Sequence, residues 1–399
     1  MMKNEETTKY FELIKPFRGI TYSTNFRTKM SDIICPPYDV IDEKMQEELL
    51  KRSELNYVRV VLSPFGHDHA KKVLEDFIRR NILVQSEKEK LYVLTQSFYD
   101  GQNNLRESVG IIALVSCEAK IFQHESTRPR VIEDRIELLE KTGCNTCPIF
   151  LVSEGYNIRQ WYEKILKQGK LNLLFSFKYN STEYGLDVDC KFFETDDFEL
   201  IYDIQDKEFI IADGHHRFNA IKHVYQVKKN EKFFMAFVAD ESSGFLILPI
   251  LREIRRGEEK KINLSGDIVV SKNHFHSSSN KFDNPLSFLS FQNSDFLFFF
   301  GDNSSLAVNI RKIPEKTHIE ILHEYIIKNI PVEFEHNMLK SISKLLRGEV
   351  GCSIIPKPLS MQEIWSVVKK GKVLPPKSTY FWPKIPSGLV LNRTNFAQV

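Results

Sequence analysis

One stretch constrains this chain more than any other: from Glu208 to Lys222, the apolar run Phe209-Ile-Ile-Ala212 breaks at Asp213-Gly214 into His215, His216, Arg217 and a helical pattern. The apolar run predicts a short strand, Gly214 a tight turn, and the recurrence of Phe218, Ile221, Val224 and Tyr225 one face of a helix. Gly214 permits backbone conformations closed to other residues, and Asp213 is placed to cap the first free N–H groups of that helix. Those groups carry the positive end of the helix dipole, and the two histidines and the arginine add donors beside them. The stretch therefore reads as an anion site, with phosphate the natural ligand. Cations at a helix start oppose the dipole by about 0.3 to 1 kcal/mol each when charged, a local conflict that a bound anion would relieve.

The 399 residues, 42% hydrophobic and 27% charged, can bury one large core or two ordinary ones. A net charge of +2 makes no electrostatic case for nucleic acid. No apolar run approaches the roughly 18 residues of a membrane span, and Met1-Met-Lys-Asn-Glu-Glu6 has no apolar signal core, so a cytoplasmic protein without a membrane partner is expected. The six cysteines form no regular framework, and Cys144-Asn-Thr-Cys147 lacks the second pair that a structural zinc site needs. His67-Asp-His69 and His274-Phe-His276 read as surface residues.

Early in the chain, Ile14-Lys-Pro-Phe-Arg-Gly-Ile20 and Cys35-Pro-Pro-Tyr-Asp-Val40 read as rigid loops that could present Arg18, Tyr38 and Asp39 to a site. A helix over Asp42–Lys51, a strand over Tyr57–Leu62, a helix over His69–Arg80, and strands over Lys90–Tyr99 and Val109–Glu118 follow. A hairpin is expected from Phe233–Ala239 and Gly244–Leu248. This mixture points to an α+β fold. The polar stretch 257–284 reads as a linker or insertion between an N-terminal lobe over 1–256 and a smaller α/β lobe over 285–399.

Two further loops carry chemistry. After Ile121-Phe-Gln, the residues His124, Glu125, Ser126 and Thr127 enter a proline-containing loop that can hold a general base and hydroxyl donors, with Asp134 and Arg135 one turn into the next helix. Near the end, the prolines of Val373-Leu-Pro-Pro-Lys-Ser-Thr-Tyr-Phe-Trp-Pro-Lys384 bracket Lys377, Ser378 and Thr379, an ammonium and two hydroxyls of the kind that bind phosphate or magnesium. No Walker motif is present.

Taken together, Pro16-Phe-Arg-Gly19, Pro36-Pro-Tyr-Asp-Val40, His124-Glu-Ser-Thr127, Asp134-Arg135, Pro148-Ile-Phe150, Ala212-Asp-Gly-His-His-Arg217, Leu248-Pro249 and Pro375-Pro-Lys-Ser-Thr-Tyr-Phe381 resemble the bacterial domain of unknown function 1015 family, over nearly the whole chain. That family looks like an enlarged, distant relative of the ParB-like fold. In that superfamily the corresponding Gly-x-x-Arg loop contacts nucleotide phosphates, and some members phosphorylate free L-serine to O-phosphoserine. Family members usually follow Leu-Pro with a histidine-arginine pair, where this chain has Leu251-Arg252.

The resemblance implies a ParB-like mixed-sheet core and a kinase that uses ATP (or ADP) and Mg²⁺ to phosphorylate a small free amino acid, with L-serine first in line. Carried over, Gly214, His215, His216 and Arg217 hold the phosphates, joined by Lys377, Ser378 and Thr379, and Asp213 or Asp134 holds the metal. Glu125 accepts the hydroxyl proton, with Asp213 and His216 beside it. Arg18, Tyr38, Asp39, His124, Thr127 and Arg135 surround the acceptor, Arg18 or Arg135 as a fork on its carboxylate. The sequence also admits a non-catalytic nucleotide-binding regulator, a metal-dependent phosphohydrolase, and a homodimer.

Overall fold

The structure, a computed structural model, describes residues 12–100, 102–181, 186–229, 232–274, 286 and 293–394. Residues 1–6, with the expected absence of a signal core, lie outside the described residues, as does the end of the polar stretch with His276. The fold is mixed α/β, built on a large mixed sheet and several smaller ones. Among the described residues no helix is long and apolar enough to cross a membrane.

The largest sheet has nine strands among the described residues. Its path runs Ile121–Phe122, Phe209–Asp213, Ile149–Ser153, Phe233–Asp240, Leu105–Ser116, Leu91–Tyr99, Leu186–Thr195 and Asn172–Ser181, with Ile14–Lys15 also pairing Leu105–Ser116. Two pairings at the end that carries the site are parallel, Phe209–Asp213 with Ile121–Phe122 and Phe233–Asp240 with Ile149–Ser153. Alternate residues of its inner strands feed two different cores: Ile210 and Ala212 join one, Phe209 and Ile211 the other. That double burial explains why these strands read as continuous apolar runs rather than as alternating ones.

A second, antiparallel sheet has six strands among the described residues, ordered Val269–His274, Ser305–Ile310, Phe296–Phe300, Val350–Pro356, Leu251–Arg255 and Val332–Glu335. The chain thus enters it at Leu251. It later returns to the first lobe, where Tyr380–Trp382 pairs Leu246–Leu248 and Asn392–Arg393 pairs Cys144–Asn145. The last part of the lobe expected over 285–399 therefore shares the core of the first sheet, with Phe381, Trp382 and Leu391 fully buried there.

Two expected elements take other forms. Val58–Val61 is a helical turn instead of a strand, because a short apolar run fits either period and here all but Arg59 turn into the core. Phe233–Asp240 and Leu246–Leu248 do not form a hairpin. The first is flanked on both sides, by Leu105–Ser116 and Ile149–Ser153, so no edge is free and the second must pair elsewhere.

Candidate functional site: a cation-lined cavity at the end of the strand Phe209–Asp213

The strand Phe209–Asp213 ends at a glycine with φ +93° and ψ +26°, and the helix His215–Lys228 begins at once. A Cβ at Gly214 would lie 2.9 Å from Arg217 Nη2, so both the backbone and the close approach of that guanidinium require glycine. Asp213 does not cap the helix. Its Oδ2 accepts from Arg217 Nη2 at 2.7 Å and its Oδ1 from Lys384 Nζ, while the helix start has no side-chain cap. The free N–H groups at this N-terminus face a cavity of about 300 Å³ lined by Asp213, Gly214, His215 and His216.

Three other segments complete that cavity. The 38–40 turn supplies Tyr38 and Asp39, the loop after Ile121–Phe122 supplies Glu125 and Arg128, and the C-terminal stretch supplies Lys377, Thr379, Tyr380 and Lys384. The second sheet contributes His336, immediately after the strand Val332–Glu335. The two chemical loops are tied together, since His124 Nε2 and Thr379 Oγ1 share a 2.8 Å hydrogen bond and Leu374 N–H donates to the His124 carbonyl at 2.9 Å.

Burial opposes ionisation of Asp213, but the Lys384 ammonium and the Arg217 guanidinium outweigh it and hold the carboxyl at about 2. Asp39 goes the other way: removal from bulk water and the Asp213 charge raise it, against Lys384 and Arg217. Glu125 is also raised by burial, against the pull of Lys377. Burial depresses all four imidazoles nearby, His124 and His336 to about 4, His215 well below its ordinary value, and His216. The histidines are therefore neutral at neutral pH and the remaining cation of the first turn, Arg217, is paired with Asp213, so the conflict with the helix dipole is relieved without an anion. The positive charge on the cavity comes from Lys377, Arg128 and Lys384.

Of the residues singled out in sequence, Tyr38, Asp39, Glu125, Asp213, Gly214, His215, His216, Lys377 and Thr379 meet on this cavity. Arg217 lies behind Asp213 and also donates to the Pro148 carbonyl. Ser378 is turned inward onto the Pro375 carbonyl at 2.6 Å, Thr127 accepts from Asn219 at 3.0 Å, and exposed Arg18 donates to the Ser86 carbonyl at 2.9 Å. Arg135 is buried, stacked 4.1 Å over the Tyr38 ring and bound to Asp134, whose other oxygen meets His67 at 2.9 Å. Asp134 and Asp213 thus stand in separate ion pairs, and both Asp213 oxygens are taken by cations, which leaves this pair unsuited to a metal. Among the described residues no group of three or more His, Cys, Asp and Glu side chains could hold a metal ion. Lys384, Arg128 and His336 were not anticipated. Lys384 ended a stretch already marked as chemical, whereas no local signal marks His336.

Fold and cavity together define a mixed α/β protein with a cation-lined cavity at a strand-turn-helix junction. Residues 14–320 match the family described as "Protein of unknown function (DUF1015)", and the chain belongs to that family. No curated protein matches it. Similar solved structures include a conserved hypothetical protein from Pyrococcus furiosus, 17% identical over 69% of this chain and 93% of that one, TM-score 0.35. A free serine kinase variant in complex with ADP is 14% identical over 70% and 92%, TM-score 0.35. C-terminally truncated SbnI from Staphylococcus aureus is 15% identical over 69% and 85%, TM-score 0.37.

Proposed function

We propose that this protein is a nucleotide-dependent phosphotransferase whose acceptor is the hydroxyl of a small free amino acid. The observation that carries the reading is one cavity in which an uncapped helix N-terminus, Lys377 and Lys384 stand beside two carboxyls, Asp39 and Glu125, that have no ion-pair partner among the described residues. Phosphoryl transfer needs positioning and charge neutralisation more than covalent help, and a cationic clamp is worth about 10³-fold or more.

In this reading the N–H groups after Gly214 and the two ammonium groups hold the phosphates of ATP, with His216 as a neutral donor beside them. Asp39 accepts the proton of the acceptor hydroxyl, because a raised carboxyl is a stronger base. The hydroxyl oxygen bonds to the terminal phosphorus, the bond from that phosphorus to the bridging oxygen breaks, and ADP leaves. Glu125, beside Lys377, is the carboxyl with lone pairs free for Mg²⁺, which would neutralise phosphate charge there. Arg217 acts through Asp213 as a positioning residue.

Incubation of the protein with terminally labelled ATP, Mg²⁺ and a panel of free amino acids tests this. Label on an amino acid, lost in Asp39→Asn and Lys377→Ala, is expected. Release of free phosphate alone, or nucleotide binding without turnover, would replace the reading with a hydrolase or a regulator.

A further inference from the structure

A second cavity, of about 230 Å³, lies beyond Lys384, which lines both. Its wall includes Pro36 and Pro37, and the next residues in the chain are Tyr38 and Asp39 of the first cavity. The interior is apolar, formed by Ile34, Met45, Leu49 and Trp382. Polar groups in that wall are already satisfied: Trp382 Nε1 donates to Ser181 Oγ at 3.2 Å, and Tyr179 Oη to the Lys384 carbonyl at 3.1 Å. The remaining charge stands on the solvent side, where exposed Glu48 and Arg52 follow one another by a helical turn on Glu43–Arg52. Glu48 has only exposed Lys44 nearby, at 3.9 Å, and Arg52 has no hydrogen-bond or ion-pair partner among the described residues.

An apolar chamber with opposite charges at its mouth is the complement of a zwitterion with an extended side chain ending in a hydroxyl. Resting on the phosphotransferase reading, we propose that this cavity binds the acceptor amino acid, its carboxylate on Arg52, its ammonium on Glu48, and its hydroxyl inward, toward the Pro37–Tyr38 junction where the wall of this cavity passes into that of the first. The chamber exceeds what a one-carbon side chain can fill, so the acceptor is a hydroxylated amino acid longer than serine, such as homoserine or tyrosine. Transfer balances as above: the acceptor oxygen takes the phosphoryl group, its proton passes to Asp39, and the nucleoside diphosphate leaves.

Calorimetric titration of the full chain, with circular dichroism to confirm folding of each variant, tests the assignment. Homoserine or tyrosine is expected to bind at least tenfold tighter than serine. Arg52→Ala and the cavity-filling Met45→Trp should each weaken that binding at least tenfold and leave ADP affinity unchanged. Weakened ADP binding in both variants would show that the chamber takes the nucleobase and would overturn the proposal. So would ADP binding without any amino acid binding, which leaves the nucleotide reading standing. Failure of the wild-type protein to bind ADP would remove that reading itself.

Discussion

Lys384 and Asp213 are 171 residues apart in the chain, yet the ammonium of one sits on the carboxylate of the other, and Arg217 closes the opposite side of the same carboxylate. Both ion pairs are nearly sequestered, with the Asp213 side chain 12% exposed and those of Lys384 and Arg217 11% each. The three groups form one charged unit that the last stretch of the chain completes only after it has returned to the first sheet.

Removing one member of a buried pair leaves an uncompensated charge and costs about 3 to 5 kcal/mol. Lys384→Ala should therefore lower stability by that order in urea denaturation. Lys384→Arg should retain most of the stability, and Lys384→Met should weaken ADP binding about tenfold or more by calorimetry.

Asp213 is held at about 2 in the folded protein, below its ordinary 3.8. The stability this contributes is present above about pH 4 and is lost as pH falls toward 2, roughly 2 kcal/mol in all. Unfolding monitored between pH 4 and 2 should show a shallower loss for Asp213→Asn than for the wild type, although the variant starts less stable.

His124 and His336 titrate near 4 when folded, against an ordinary 6.5. The folded state therefore binds fewer protons than the unfolded one, and stability should fall as pH drops from about 6.5 toward 4. Melting temperature against pH, with NMR titration of the two rings, checks this. His336→Asn should flatten part of the slope without altering the acid limb below pH 4.

At Gly214, alanine meets both a positive φ and a contact of 2.9 Å with Arg217 Nη2. Gly214→Ala should cost roughly 1 to 3 kcal/mol and displace the guanidinium from Asp213. Chemical denaturation measures the first, and a rise in the Asp213 titration midpoint by NMR measures the second.

Asp39→Asn and Glu125→Gln separate the two carboxyls on the cavity. The first should abolish phosphoryl transfer while leaving ADP binding within about threefold. The second should raise the Mg²⁺ concentration needed for half-maximal turnover. Because burial and the Asp213 charge raise Asp39, the acid limb of the rate profile should lie above the ordinary carboxylate range.

Much of the site was legible in the chain itself because it depends on local physics. An apolar run, a glycine free to take positive φ and a following helical period define the strand, turn and helix around Asp213 without reference to anything distant. Proline-punctuated loops likewise marked Asp39, Glu125 and Lys377 as presented residues. What the tertiary structure alone decided is which partners those residues have. Asp213 was read as a cap, since Lys384, the second cation that claims it beside the local Arg217, arrives only through the sheet pairing between Leu246–Leu248 and Tyr380–Trp382. The histidines were read as charged, since their neutrality follows from burial that no spacing reveals. His336 reaches the cavity from the other sheet, and a contact made between elements of two sheets leaves no trace in sequence periodicity, because side-chain spacing records only the face of one element and not what is laid against it.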